Sequence, residues 1–160
     1  METTAFTYTT YIAAAPERVW DALTSARLTP RYWSGCSLES DWGVGSPTVL
    51  TRDGVVRSSG QVLECTPTVR LAYSFTIRYV PEYEAEGATQ VAFELERLGD
   101  QTRLTLRHSG FGAGSKTLPV ISESWPIILS SLKSLLETGT ALGDIRRAGG
   151  RFVAEQAAAA

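Results

Sequence analysis

Apolar residues in this chain recur mostly at every second position, and fall into helical spacing only near its two ends. Phe6-Thr7-Tyr8-Thr9-Thr10-Tyr11-Ile12 is aromatic and β-branched with near period-2 alternation, which predicts a strand. Pro16 stands where a first helical position would, with Glu17 beside it at the positive end of the helix. Val19, Trp20 and Leu23 share one face, so Pro16–Thr24 is predicted as a short helix. A second short helix or turn is expected over residues 27–33, interrupted by Pro30 and closed by Gly35. Strands follow over residues 36–42, 48–52 and 55–65. The last two are joined by the tight-turn dipeptide Asp53-Gly54, and the third is bent at Gly60. Residues 70–80 alternate cleanly, with Leu71, Tyr73, Phe75, Ile77 and Tyr79 on one face. An acidic loop is expected over 81–88. Then Val91, Phe93 and Leu95 point inward from a strand over 90–98, and Gly99-Asp100 turns the chain into Gln101–Phe111. Strands at this spacing, joined by short turns, make an antiparallel meander.

The period then changes. Ile121, Trp125, Ile128, Leu129, Leu132, Leu135 and Leu136 follow the i, i+3, i+4, i+7 rule and predict one long helix over residues 120–142. Some 20 residues at 1.5 Å each reach about 30 Å, enough to cross a whole sheet. Gly139 and Gly143 offer C-terminal breaks. Beyond Gly149-Gly150 the chain is Ala-rich and without motif. Residues 146–160 are therefore expected to be a weakly ordered tail, leaving one domain over residues 1–145. The fold class is α+β: one apolar sheet face and one helix stripe must bury each other.

Composition narrows the function classes. The 160 residues are 43% hydrophobic and 20% charged, the balance of a soluble globular protein. A net charge of −2 argues against a nucleic-acid binder, which usually shows a basic face. No apolar run approaches the roughly 18–20 residues that span a bilayer. Met1-Glu2-Thr3-Thr4 lacks the basic and apolar regions of a signal peptide, so none is expected. Cys36 and Cys65 stand far apart and make neither a disulfide framework nor a zinc site. A reduced, cytoplasmic protein without metal or cofactor is the expectation.

Five pieces in order resemble a known family. They are Ala15-Pro16-Glu17-Arg18-Val19-Trp20-Asp21-Ala22-Leu23; Trp33; Gly60-Gln61-Val62-Leu63-Glu64-Cys65-Thr66-Pro67; Leu104-Thr105-Leu106-Arg107-His108-Ser109-Gly110-Phe111; and Trp125 with Leu135-Leu136-Glu137-Thr138-Gly139. Together they resemble the SRPBCC superfamily, and within it the group related to the Hsp90 ATPase activator domain. The resemblance runs from Phe6 to Gly139. It implies a helix-grip fold of the Bet v 1/START type: about seven antiparallel strands wrapped around a long C-terminal helix, with two short helices after the first strand. Such folds host binders, cyclases and chaperone partners on one scaffold.

His108 is the single histidine and shares strand parity with Leu104 and Leu106, so it points to the apolar side. Three roles are open to it: a core histidine with satisfied nitrogens, a polar contact for a ligand, or a catalytic base. The large rings Tyr73, Phe75, Tyr79, Phe93, Trp33 and Trp125 serve equally as core or as the wall of a small-molecule site. Gly110-Phe111-Gly112-Ala113-Gly114-Ser115-Lys116-Thr117 nearly matches a phosphate-binding loop. Ser115 stands where the second glycine is required, however, and there is no βαβ unit, so a flexible loop is the better reading. Glu82, Glu84 and Glu86 read as a solvated hairpin tip. No GxSxG elbow, HExxH helix or CxxC pair occurs.

These residues point to an internal apolar cavity for a hydrophobic or aromatic small molecule. Its expected contacts are Trp33, Tyr73, Phe75, Phe93, His108, Trp125, Leu129 and Leu132, with His108 orienting the ligand through one hydrogen bond. A binder rather than an enzyme is the primary expectation, and no catalytic residue is assigned. Two alternatives stand beside it. One is a chaperone-partner module, which the resemblance allows. The other is a polyketide cyclase- or hydrolase-type enzyme in which His108 and a cavity tyrosine handle protons.

Overall fold

The computed structural model of the chain describes residues 4–143. The expected tail, residues 146–160, lies outside the described residues. Strand β1 (Thr4–Ile12) leads into helices α1 (Pro16–Thr24) and α2 (Thr29–Tyr32). Strands β2 (Ser37–Glu39), β3 (Pro47–Arg52), β4 (Val55–Thr66) and β5 (Arg70–Ile77) follow. Helix α3 (Pro81–Glu84), strands β6 (Thr89–Leu98) and β7 (Gln101–Phe111) and helix α4 (Thr117–Thr138) complete the order.

Where boundaries differ from the sequence reading, backbone chemistry explains it. Pro30 lies in the first turn of α2, where its missing N–H is not needed, so it opens the helix rather than interrupting it. The strand expected over 36–42 shrinks to Ser37–Glu39. Trp42 turns left-handed, with φ 61°, and its indole N–H donates to the Thr24 carbonyl at 2.8 Å. Pro81 opens α3 in the same way, inside what reads as an acidic loop. Helix α4 begins at Thr117 because Pro119 also falls in a first turn, among N–H groups that have no intrahelical partner. It ends at Gly139, which takes φ 82° and donates its N–H to the Leu135 carbonyl at 2.9 Å. Asp53 and Gly54 both have positive φ, the signature of the tight hairpin turn read from their pairing.

The seven strands form one antiparallel sheet in the order β1-β7-β6-β5-β4-β3-β2. Register places whole rows on one face. Phe6, His108, Val91, Tyr73 and Val62 align across five strands, and Tyr8, Leu106, Phe93, Leu71 and Cys65 align beside them. These rows and the α4 stripe of Ile121, Trp125, Ile128, Leu129, Leu132 and Leu135 form the core. The opposite face is polar: Arg70 bridges Glu64 at 2.6 Å and Glu94 at 2.5 Å. The far end of α4 is tied to the first strand's exit, where the Ala13 N–H donates to Glu137 at 2.7 Å and the Lys133 ammonium donates to the Tyr11 carbonyl at 2.5 Å. This is a helix-grip α+β fold. Among the described residues, no helix is long and apolar enough to cross a membrane.

Candidate functional site

His108 is fully buried, at 0% exposure, and its neighbours define its state. The Trp125 indole N–H, which can only donate, points at Nδ1 from 3.0 Å. Nδ1 therefore accepts, and the proton of the neutral ring sits on Nε2. Nε2 is 2.7 Å from the Thr89 hydroxyl, which in turn donates to the Phe75 carbonyl at 2.8 Å. The relay runs Trp125 to His108 to Thr89 to Phe75, and both ring nitrogens are satisfied. Phe75, Phe111 and Trp125 enclose the imidazole at ring distances of 5.3, 4.8 and 6.2 Å. Burial pushes its pKa down to about 3, so it stays neutral at physiological pH. That arrangement makes a satisfied core histidine and offers no proton for acid–base work near pH 7.

The relay is expected to be structural, which a pH series on His108→Leu tests. Leucine fills the volume but leaves the Trp125 N–H without its acceptor, a loss of about 1–3 kcal/mol near pH 7. The sign with pH follows from the depressed pKa. The unfolded histidine takes up a proton below about 6.5 and the folded one does not, so wild-type stability falls on acidification. The leucine variant lacks that term. The gap in urea stability should narrow between pH 7 and pH 4, and a gap that is absent at pH 7 would refute the relay's structural role.

A cavity of about 70 Å³ lies next to this relay. Val120, Ile121, Ser124, Trp125 and Ile128 of α4 form one wall, and Leu50, Arg57, Ser58, Phe75 and Ile77 of the sheet form the other. Trp33, Ser34 and Cys36 close it from the turn after α2, and Tyr79 from the segment after β5. Trp33 and Trp125 meet there at 5.1 Å between ring centroids. Ser34, Tyr79 and Ser124 keep some exposure and mark where the cavity meets solvent.

Of the residues expected as contacts, Trp33, Phe75 and Trp125 line this cavity. Tyr73, Phe93, His108, Leu129 and Leu132 are buried in the core behind it and are not among its lining residues. Phe93 packs edge-on against Trp125 at 5.8 Å and so supports the wall indirectly. The Tyr73 hydroxyl is buried without a hydrogen-bond partner among the described residues, and burial raises its pKa.

Sequence reasoning missed Arg57 and Ser58. The β3–β4 ladder pairs Leu50 with Ser58 and Thr51 with Val56, leaving Arg57 as an extra residue in β4. This bulge breaks the alternation, so two consecutive side chains are buried and both reach the cavity. A bulge has no composition signature. The available signal was the polar pair Arg57-Ser58 inside a strand after Val55-Val56.

The acidic segment after β5 is also more than a solvated tip. Glu86 accepts from the backbone N–H groups of Lys116 at 2.7 Å and Thr117 at 3.3 Å, and from the hydroxyls of Ser115 at 2.6 Å and Thr117 at 2.7 Å. Burial alone would raise this carboxyl, but the four hydrogen bonds outweigh it and hold its pKa below the ordinary value. The positive end of α4, where a phosphate-binding loop would hold its anion, is occupied by the chain's own carboxylate. Among the described residues, no group of three or more His, Cys, Asp or Glu is placed to hold a metal ion.

Comparison with known proteins agrees with this architecture. Residues 13–137 match the family model described as activator of Hsp90 ATPase homolog 1-like protein. No curated protein matches the chain. The Aha1 dimer from Colwellia psychrerythraea is 22% identical, covers 85% of this chain and 98% of its own, and superposes with a TM-score of 0.68. CalU16 from Micromonospora echinospora is 22% identical over 99% of this chain and 88% of its own, with a TM-score of 0.70. MLL2253 from Mesorhizobium loti is 24% identical over 83% and 96%, with a TM-score of 0.71. At these identities the likeness is one of fold.

Proposed function

The chain belongs to the activator of Hsp90 ATPase homolog 1-like family, and from that premise we propose that it is a small-molecule binding protein. Its ligand is hydrophobic or aromatic and sits between α4 and the sheet, against Trp33, Phe75 and Trp125. The cavity itself carries this reading: mostly apolar walls, two indoles in contact, and few polar groups are the makings of a small-molecule site. At about 70 Å³ it is smaller than the roughly 150 Å³ that holds a benzene ring. Binding a ring therefore includes displacement of lining side chains at the mouth near Ser34, Tyr79 and Ser124. Tyr73, Phe93, Leu129 and Leu132 support the walls from behind.

A chaperone-partner role is supported by family membership alone, whereas the binding reading also has a cavity. A cyclase or hydrolase would need a titrating group near neutrality, and His108 does not provide one. Tryptophan emission is the direct test. An aromatic ligand entering between Trp33 and Trp125 should quench it saturably with one site per chain and raise the melting temperature. A metabolite panel that changes neither quantity would overturn the binder reading. A melting shift produced only by an added Hsp90-type chaperone would favour the partner module instead.

A further inference from the structure

We propose that Trp42 plugs a second binding site at the end of α1, and that this site takes a planar, uncharged heteroaromatic with an N–H donor beside a carbonyl acceptor, the pattern of a lactam. The groove over Trp42 shares no lining residue with the cavity described above, and the site stands independently of it.

The floor of the site is the Tyr73 hydroxyl. Tyr73 is 1% exposed, and its hydroxyl has no hydrogen-bond partner among the described residues. A buried hydroxyl normally finds one, and leaving it unpaired costs free energy. Two aromatic side chains flank it. Trp42 lies 6.3 Å away between ring centroids. Tyr32 is within electrostatic reach: burial first, and Tyr73 second, hold its pKa above the ordinary value. Both neighbours cap the last turn of α1, where helix carbonyls have no partner within the helix. The Tyr32 hydroxyl donates to the Ala22 carbonyl at 2.7 Å, and the Trp42 indole N–H donates to the Thr24 carbonyl at 2.8 Å.

An indole has one donor and no acceptor. Trp42 therefore satisfies the Thr24 carbonyl and has nothing to offer the Tyr73 hydroxyl. A ligand in its place, with an N–H for Thr24 and a carbonyl for Tyr73, satisfies both. Burial raises the Tyr73 pKa, so the hydroxyl keeps its proton and donates. Glu39 and Asp41, exposed along the groove outside, repel anions and favour an uncharged ligand.

The backbone lets Trp42 leave. It is a bulky residue at φ 61°, a strained conformation for a side chain with a Cβ, and Gly43 and Gly45 follow it. It is only partly buried, and it lines the open groove together with Thr24, Leu38 and Pro47. That groove gives the indole a place to swing into.

Oxindole, indole and N-methyloxindole separate the two hydrogen bonds, offering donor and acceptor, donor alone and acceptor alone. They are titrated by calorimetry into the full-length wild type, Trp42→Ala, and Trp42→Ala combined with Tyr73→Phe. Removing the plug should tighten oxindole binding at least ~10-fold, because wild type binds only with its own indole displaced. In Trp42→Ala, oxindole should bind at least ~5-fold tighter than either other probe, and adding Tyr73→Phe should erase its lead over indole. Equal affinity of wild type and Trp42→Ala for oxindole would overturn the plug. Equal affinity of Trp42→Ala for all three probes would overturn the polar assignment. Should Trp42→Ala fail to fold, two measurements on other chains decide. Oxindole should shift wild-type tryptophan emission to the red as Trp42 enters water, whereas occupation of the Trp33–Trp125 cavity quenches it without that shift. Tyr73→Phe should melt no lower than wild type, since the hydroxyl it removes bonds to no other described residue. A lower melting temperature, or the absence of a red shift, would overturn the proposal and leave the cavity reading standing.

Discussion

Replacing Leu132 by alanine is expected to cost about 2–5 kcal/mol of folding stability. Leu132 is 0% exposed and sits mid-stripe on α4, one turn from Leu129 and Leu135 and against the inward rows of the sheet. The space left by the missing methyl groups borders helix and sheet, two rigid layers, and closes poorly. The loss is a large share of the roughly 5–15 kcal/mol that holds a domain together. In a urea titration the midpoint should drop with little change in slope, since the folded and unfolded states keep their overall exposure. A loss below 1 kcal/mol would mean that α4 does not pin the sheet.

Gly60→Ala is expected to be nearly as damaging, for the opposite reason. A Cβ built on Gly60 falls 1.8 Å from the Ser74 carbonyl oxygen and 2.5 Å from its carbon, so backbone rather than a flexible side chain is in the way. The two strands must separate, and the bond from the Gln61 N–H to the Ser74 hydroxyl, 2.9 Å long, breaks with them. The cost belongs at the upper end of the ~1–3 kcal/mol usual for overpacking, or beyond it. Gly112→Ala is the matched control: nothing lies within 4 Å of its added Cβ, and its φ is not positive. Thermal melts of both variants decide the matter. Equal melting temperatures would show that β4 and β5 separate there at no cost.

Much of this fold is legible because periodicity is a local signal. Helix α1 and strand β7 fall on their expected bounds, since each is marked by its own alternation and by proline or glycine at its limits. At Gly60, β5 comes too close for any side chain. Pro30 looks like an interruption in a linear pattern, yet it sits in a first turn, as do Pro81 and Pro119, where a helix has N–H groups to spare. The site is less legible. Trp33, Phe75 and Trp125 announce themselves by size, and parity correctly turns His108 inward. Its role, however, is set by an indole 17 residues away and a hydroxyl 19 residues away. Arg57 depends on one residue of slippage between two strands, and Glu86 finds its partners only once α4 is in place.

The strand order has a kinetic consequence. Five of the six ladders join strands consecutive in the chain, so they close as hairpins or short-loop pairs. The sixth, β1 on β7, aligns Ile12 with Thr102 and closes every element between them at once. Since each doubling of loop length adds about 0.6 kcal/mol of closure entropy, that single pairing costs on the order of 3 kcal/mol more than a hairpin. The ties from Ala13 to Glu137 and from Lys133 to Tyr11 lie at the same seam. The topology therefore concentrates the non-local share of the folding search at the junction of the first strand with the last strand and the last helix, and leaves the rest of the sheet to assemble by neighbour-to-neighbour zipping.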